Sequence, residues 1–379
     1  MIQSSTKVLF LTLTMFGDTG GIQKVCRTLS MSLSKLCPPP AHFQVFSLGD
    51  HPSHLDARYL AINTFKGFSY QRLRFCIHSI RQSIRAKVVI LSHINLLPIA
   101  WLIKLINPKT QIIVLAHGIE VWRPVSWWKI AFLKKHCQLW SVSHFTANKI
   151  REQHGLHGKN VYVLPNCLDP FFEPPHIFRR PSFLLERYNI KSESLILLSI
   201  CRLTVHEQDK GYDQVLNAMP SLLQANPNIC YLLAGKADTI EMARLKDLII
   251  AKKLQEHVLL VGYIDDEELS SHYLLADIFI LVSKKEGFGL VFLEAAACGC
   301  KIICGNVDGS SEAVLNGRIG TQVEPNSNRQ LVHAILATLQ KEHDDVRAKY
   351  LQKTCMEHFS FPSYHDKVKQ LLTPFINKI

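Results

Sequence analysis

Two glutamates, Glu286 and Glu294, bracket the stretch Glu286-Gly287-Phe288-Gly289-Leu290-Val291-Phe292-Leu293-Glu294. The apolar run Ile278–Val282 just before it reads as a buried parallel strand. The alanine-rich run Leu290–Cys298 just after it reads as a buried helix ending at Gly299. A strand, a turn with two glycines and a helix together aim unpaired backbone N–H groups and the positive end of a helix dipole over the strand end. Phosphate is the usual guest of such an arrangement. A carboxylate repels phosphate, so each glutamate is better suited to accept hydrogen bonds from sugar hydroxyls. The alternative is a surface helix with an acidic flank, and Glu294 argues against it by interrupting an otherwise apolar face.

Other residues could serve the same chemistry. Arg202 closes the strand-like run Leu195–Cys201, and Lys210-Gly211 opens the helical pattern that follows. Arginine as a fork and lysine as a point charge can converge on one diphosphate; plain exposed basic residues are the alternative. Near the N-terminus, Lys7–Leu13 reads as a strand, Phe16-Gly17-Asp18-Thr19-Gly20-Gly21 as a turn and Ile22–Leu36 as a helix. Their spacing is not G-x-G-x-x-G, so the dinucleotide fingerprint is absent and a simple tight turn stays open as a reading. His117, in Ala116-His117-Gly118-Ile119-Glu120, lies at another predicted strand end, where a functional histidine competes with a buried, satisfied one.

These groups need a frame. β-like runs at Phe43–Leu48, Lys87–Ser92, Gln111–Ala116, Leu139–Ser143, Tyr231–Gly235, Val258–Tyr263 and Lys301–Cys304 alternate with helical patterns. Such alternation predicts parallel sheets covered by helices on both faces, with ligands at the carboxyl ends of the strands. The chain of 379 residues is long enough for two domains. Prolines at 170, 174, 175 and 181 mark a stiff linker between them. No internal repeat or signal-peptide cleavage region is evident. No apolar run reaches the ~20 residues of a membrane span; Ile94–Ile106 is interrupted by Asn95, Pro98 and Lys104. The 11 cysteines are scattered through apolar runs, which suits free thiols in a reducing compartment. Cys298, Cys300 and Cys304 lie close together, but no second cluster completes a metal set. Asp265-Asp266 reads as a helix cap rather than a metal site.

The net charge of +12 is unevenly spread. Residues 1–172 hold 20 Lys and Arg against 6 Asp and Glu (+14), which leaves 23 against 25 (−2) for the remainder. An anionic partner is therefore expected for the first half alone: membrane surface, phosphorylated acceptor or nucleic acid. Within it, the helical segment Tyr70–Lys87 carries Arg72, Arg74, Arg81 and Arg85 without an acid. Val121–His136 carries Trp122, Trp127, Trp128, Lys129, Lys134 and Lys135, also without an acid. Tryptophan beside lysine suits a membrane interface, and Arg72, Arg81, Trp127, Trp128, Lys129, Lys134 and Lys135 are the expected contacts. The alternative is a solvated basic face over a packed aromatic row.

The stretch from Glu286 to Glu294 resembles the E-x7-E motif of retaining glycosyltransferases of family 4, and the resemblance extends along nearly the whole chain. Arg202-Leu203 and Lys210-Gly211 are similar to the family's R-L…K-G pair, with a longer intervening loop than in many members. Val163-Leu164-Pro165-Asn166-Cys167-Leu168-Asp169 resembles its V-x-P-N-G-V-D segment, with Cys167 for glycine. Asp308-Gly309-Ser310-Ser311-Glu312 resembles its Gly-Gly-x-x-Glu loop, read with Ser310 in place of the second glycine. The resemblance implies the GT-B fold, two Rossmann-like parallel-sheet α/β domains facing across a cleft. The expected divisions are residues 1–172 for acceptor binding, 190–361 for the nucleotide sugar, and 362–379 as a helix crossing back to the first domain.

The same resemblance implies catalytic roles for His117, which faces the transferred sugar, and for Arg202, Lys210 and Glu286. It also implies donor contacts at Gly20, Gly21, Gly235, Tyr263, Phe288, Gly289, Leu290 and Glu294. The implied reaction is a metal-independent hexosyl transfer with retention from a nucleotide-diphosphate sugar, with no cofactor. Similarity to exopolysaccharide mannosyltransferases places GDP-mannose ahead of a UDP-sugar. The acceptor is expected to be lipid-linked or a glycan, met on the anionic inner face of the cell membrane by a cytoplasmic, peripheral protein of polysaccharide biosynthesis. Nucleic acid is not an expected partner, since it explains the basic half but not the glutamate-bracketed turn. A non-catalytic, membrane-associated nucleotide- or glycan-binding protein is the alternative.

Overall fold

The computed structural model describes residues 8–37, 43–156, 160–341 and 344–376. Lys7, placed in the first predicted strand, and the last three residues of the tail helix lie outside them. The chain divides into two compact units, Met1–Pro170 with Phe361–Ile379, and Phe171–Ser360.

Among the described residues the first unit holds a seven-stranded sheet in the order β3-β2-β1-β4-β5-β6-β7. Its strands are β1 (Val8–Thr12), β2 (Phe43–Ser47), β3 (Phe65–Gly67), β4 (Val88–Leu91), β5 (Gln111–Ala116), β6 (Cys137–Ser141) and β7 (Val161–Val163). The second unit holds six strands in the order β10-β9-β8-β11-β12-β13: β8 (Leu195–Ile200), β9 (Ile229–Ala234), β10 (Val258–Gly262), β11 (Ile278–Leu281), β12 (Lys301–Gly305) and β13 (Thr321–Val323). Every pairing is parallel. The reason is visible in the central strands: β1, β4, β9 and β11 are buried at every position and, apart from Thr12 at the end of β1, apolar. A strand apolar on both faces must be covered on both faces, and crossover helices do that. Of the three edge strands with only three residues, β3, β7 and β13, none is long enough to show a period.

Each sheet reverses its strand order once, between β1 and β4 in the first unit and between β8 and β11 in the second. Two crossovers leave such a switch point in opposite directions, so the strand ends there stay uncovered and available to ligand. Both Arg202 and Glu286 follow strands at the switch point of the second unit. In the first unit the loop Phe16–Gly21 follows β1, and His117 follows β5, one strand beyond.

Local departures from expectation have local causes. The predicted helical stretch Val121–His136 is broken into helices Ile119–Trp122 and Trp127–His136. Pro124 is the cause, because it drives the preceding Arg123 to extended backbone (φ −75°, ψ 158°). Asp265 stands at an N-cap position, yet its side chain makes no capping hydrogen bond. The proline-rich stretch after Pro170 packs on the second unit, where Arg180 pairs with Asp277 at 2.7 Å and Ser270 donates to the Glu173 carbonyl at 2.9 Å. The tail helix Phe361–Ile376 packs on helix Gly21–Leu36 of the first unit. Ser32 Oγ lies 3.0 Å from His365 Nδ1, and Lys35 sits over the Phe361 ring. No helix among the described residues is long and apolar enough to cross a membrane.

Candidate active site

The second unit brings Lys210 and Glu286 together: Lys210 Nζ donates to Glu286 Oε2 at 2.6 Å, across 76 positions of sequence. A tight glycine turn makes this meeting possible. Gly211 has φ +90°, and a Cβ there would stand 2.4 Å from the Val282 carbonyl oxygen, so only glycine lets the turn press against the end of β11. Burial works to lower the Lys210 pKa, but the charge and hydrogen bond of Glu286 outweigh it and the net shift is upward. Lys210 is thus a fixed ammonium at neutral pH. Arg202, at the end of β8, is more exposed and pairs with Glu207 at 2.6 Å.

The loop carrying these cations is pinned on several sides. Lys284 N–H donates to the Asp209 carbonyl at 2.9 Å, Lys285 pairs with the Asp209 carboxylate at 2.6 Å, and Gln208 donates to Glu241 at 3.0 Å. Buried Glu241 also takes the Tyr212 hydroxyl at 2.6 Å and the Arg244 guanidinium. Burial opposes its ionisation, yet these donors hold its pKa down to about 2. Sequence reasoning missed Glu207 and Glu241; an acid inside the lengthened loop was the only available signal for the former.

The helix Leu290–Ala297 starts at Gly289 (φ +94°) as expected from the two-glycine turn. Glu294 is buried on it and accepts the Tyr273 hydroxyl at 2.9 Å. Phe288 does not reach outward. Its ring is buried edge-on to Phe359 with centroids 5.6 Å apart, so this position can offer a ligand backbone only. Gly235 ends β9 where a Cβ would collide with the Cys201 carbonyl, and Tyr263, past the end of β10, is half exposed.

The Asp308 loop corrects one assignment. Counting back from Glu312, the two glycine places of Gly-Gly-x-x-Glu fall on Asp308 and Gly309, not on Ser310. Gly309 is the position that demands glycine, because a Cβ would lie 2.1 Å from the Gly287 carbonyl oxygen. Its N–H donates to the Glu286 carbonyl at 2.8 Å. Asp308 is buried and accepts the Glu286 N–H at 2.7 Å and the Ser310 N–H at 3.0 Å. Burial, reinforced by the Glu286 charge, pushes its pKa up to about 6 against those hydrogen bonds. The loop therefore holds the Glu286 backbone from both sides.

In the first unit the glycine loop is shaped by a residue that the sequence did not single out. Buried Asp50, just beyond β2, accepts N–H groups of Met15 at 2.8 Å and Gly17 at 2.7 Å and the Ser47 hydroxyl at 2.6 Å. Gly21 has nothing within 4 Å of a notional Cβ, so packing does not explain it. His117 donates Nε2–H to the Ser92 carbonyl at 2.9 Å, while its own N–H and that of Gly118 donate to Glu120. Burial lowers its pKa, with the Glu120 charge opposing.

The expected membrane contacts divide. Trp127 is 82% exposed, and Arg72, Arg81, Lys134 and Lys135 are exposed. Trp128 is instead half-buried against the core, with half-buried Lys129 over its ring at 5.8 Å. The phase of helix Trp127–His136 turns Trp128 inward, so it is withdrawn from the contact set. Helix Arg72–Ser83 shows what was missed: Leu73, Ile77 and Ile84 are exposed at spacings of four and seven. They form an outward apolar stripe opposite the buried Phe75, Ser79 and Ser83.

For the two glutamates, opposite environments give opposite expectations. Glu294→Gln is expected to weaken binding of a free nucleoside diphosphate, whereas Glu286→Gln is expected to spare it and to spoil contact with the sugar. Calorimetry with GDP and UDP decides, and equal loss in both variants removes the division of labour.

Comparison with known proteins adds to this geometry. Residues 183–354 match the family model described as Glycosyl transferases group 1. A GDP-mannose-dependent alpha-(1-6)-phosphatidylinositol monomannoside mannosyltransferase of Mycolicibacterium smegmatis is 29% identical over 193 residues, 48% of this chain and 48% of that one. A glycogen synthase of Mycobacterium tuberculosis is 33% identical over 227 residues, 59% of this chain and 48% of that one. The chain thus spans about half the length of the curated relatives it matches. Among solved structures, Anabaena Alr3699/HepE in complex with UDP and glucose superposes with a TM-score of 0.76 at 18% identity, covering 97% of this chain and 99% of that one. Sucrose-phosphate synthase from Thermosynechococcus elongatus does so with 0.73 at 20% identity, covering 97% and 98%.

Proposed function

We propose, for a chain whose residues 183–354 belong to the group 1 glycosyl transferases and whose two parallel-sheet units have the GT-B architecture, that it transfers a hexose from a nucleotide-diphosphate sugar to a lipid-linked or glycan acceptor. The observation that carries the reading is the Lys210–Glu286 pair beside Arg202 at the switch point of the second unit. Departure of a nucleoside diphosphate from a sugar leaves positive character on the anomeric carbon and negative charge on the phosphate. Arg202, Lys210 and the N–H groups near Gly289 and Leu290 stabilise that phosphate charge in place from the start. Glu286, held against Lys210, both fixes the ammonium and accepts from sugar hydroxyls. The released phosphate oxygen takes the acceptor proton, and the new bond forms on the face the diphosphate leaves, which retains configuration. Two protein cations supply the charge a metal would bring, so the reaction runs without one.

GDP-mannose is the favoured donor, supported by the mycobacterial relative; the UDP-bound neighbour keeps UDP-sugars in the test. Nucleotide release is expected from one of GDP-mannose, UDP-glucose, UDP-galactose or UDP-N-acetylglucosamine with a lipid extract as acceptor, unchanged by chelator, with the α anomer in the product. No release from any donor, together with retained nucleotide binding, would favour the non-catalytic alternative.

Acceptor access at the inner face of the cell membrane is supported by the charge of residues 1–172 and by the stripe Leu73, Ile77 and Ile84 between arginines. Near an anionic surface each cation contributes ~1 kcal/mol. Flotation is expected with acidic vesicles and not with neutral ones, weakening as salt rises. Reversing Arg72, Arg81 and Lys134 together should abolish it, and Trp127→Ala should weaken it even at low salt. Equal recovery on both vesicle types points to a soluble acceptor instead.

A further inference from the structure

His93 lies one residue beyond the Ser92 carbonyl that holds His117. Its Nδ1 accepts the backbone N–H of Asn95 at 3.0 Å. A nitrogen that accepts cannot also carry a proton, so the ring hydrogen must reside on Nε2. His117 holds the same tautomer for the opposite reason. Its Nε2 faces the Ser92 carbonyl at 2.9 Å, an acceptor only, so Nε2 carries the hydrogen and Nδ1 keeps its lone pair. Among the described residues neither His93 Nε2 nor His117 Nδ1 has a hydrogen-bond partner. Two neighbouring imidazoles at the carboxyl ends of β4 and β5 therefore leave complementary atoms open, an N–H on one and a lone pair on the other. Burial lowers the pKa of both rings, and the Glu120 charge works against it in each, so both are neutral at pH 7.

We infer that His93 is a further binding residue of this site, and that His93 Nε2–H and His117 Nδ1 together bind the hydroxyls of a sugar. A hydroxyl donates one hydrogen bond and accepts another; the pair offers one of each and no net charge. The Glu120 carboxylate and the Lys129 ammonium act on the His93 ring in opposite senses, so the two rings offer a neutral donor and acceptor in surroundings of balanced charge, which suits a polyol. The inference rests on the transfer reading above. The hydroxyls could belong to the sugar being transferred or to the acceptor, and ligand choice separates these.

Ring 15N resonances of the full-length protein, labelled at histidine, provide the test. Without ligand both rings should show the Nε2-protonated pattern. Addition of the nucleotide sugar that calorimetry shows to bind, GDP-mannose or UDP-glucose, should shift His93 Nε2 and His117 Nδ1, and the matching nucleoside diphosphate alone should not. A shift only with octyl α-mannoside assigns the pair to the acceptor. In kinetics His93→Leu should raise KM for that ligand about tenfold, roughly the loss of one hydrogen bond to a neutral group. His93→Gln, which keeps an N–H near the Nε2 position, should restore most of it. Nucleotide sugar or mannoside that binds with heat but moves neither resonance overturns the inference while leaving the transfer reading intact. No heat with any of GDP-mannose, UDP-glucose, UDP-galactose, UDP-N-acetylglucosamine or the mannoside removes both. Equal defects in the Leu and Gln variants would mean that His93 is structural, which also overturns it.

Discussion

Lys210→Ala is expected to lower turnover by about 10²–10³-fold, the effect of deleting one preorganised donor to a developing anion. The size follows from where the ammonium stands. It is 21% exposed and held by a carboxylate at 2.6 Å, so water does little to screen it and no reorganisation is needed when phosphate charge appears. Arg202→Ala should act in the same direction with a smaller effect, because Arg202 is 59% exposed and already shares its charge with Glu207. Removing Lys210 also leaves Glu286 without its counter-ion, which lowers stability. The two consequences separate in the double variant Lys210→Ala/Glu286→Gln. It should recover much of the lost stability, since no charge is left unpaired, and none of the lost turnover. Single-turnover rates with saturating donor and urea unfolding provide both readouts. Near-normal turnover in Lys210→Ala would show that the diphosphate binds elsewhere.

Gly309→Ala is expected to disrupt the same site from the other side, through packing alone. The residue has φ −66°, so alanine meets no backbone strain. Its Cβ, however, would stand 2.1 Å from the Gly287 carbonyl oxygen and 2.9 Å from that of Glu286. Those are backbone atoms of a turn fixed by the Gly309 N–H, by Asp308 and by Lys210 through the Glu286 side chain, so they cannot swing aside as a flexible side chain would. Overpacking of this kind costs about 1–3 kcal/mol, and relief requires separating the two turns. Glu286 and the start of helix Leu290–Ala297 move with them, so nucleotide-sugar affinity should fall at least tenfold. Gly21→Ala is the informative contrast. Nothing lies within 4 Å of a Cβ there, and stability should change by under about 0.5 kcal/mol. A stable Gly21→Ala protein that nonetheless loses turnover would mean that ligand, not packing, needs that glycine. Unaltered donor binding in Gly309→Ala would show that the two turns are looser than their contacts imply.

Much of the frame was legible without coordinates. Runs such as Val8–Leu11 and Ile278–Leu281 are apolar at every position, and a strand without a polar face has few homes other than the middle of a parallel sheet. The turn chemistry was equally local: Gly289 before an alanine-rich helix and Gly211 after Lys210 announce their own left-handed backbone. Residue types named the chemistry too, since an arginine, a lysine and two glutamates near strand ends suit a diphosphate and a sugar whatever the partner strands are.

What the sequence could not reveal depends on contacts between distant segments. Lys210 reaches Glu286 only because β8 and β11 are neighbours although β9 and β10 lie between them in the chain. Strand order is set by crossovers and shared burial, and periodicity within one strand carries no record of it. Asp50 was unreadable for a similar reason. A lone aspartate after a strand looks like a turn residue until Met15 and Gly17 bring their N–H groups to it from the loop after β1. Trp127 and Trp128 are adjacent and alike in type, yet one faces solvent and the other the core, because Pro124 resets the start of their helix and with it the phase. Sequence determined which residues could do chemistry and that they would sit at strand ends. Tertiary structure decided which of them meet, since that follows from the order in which buried strands associate.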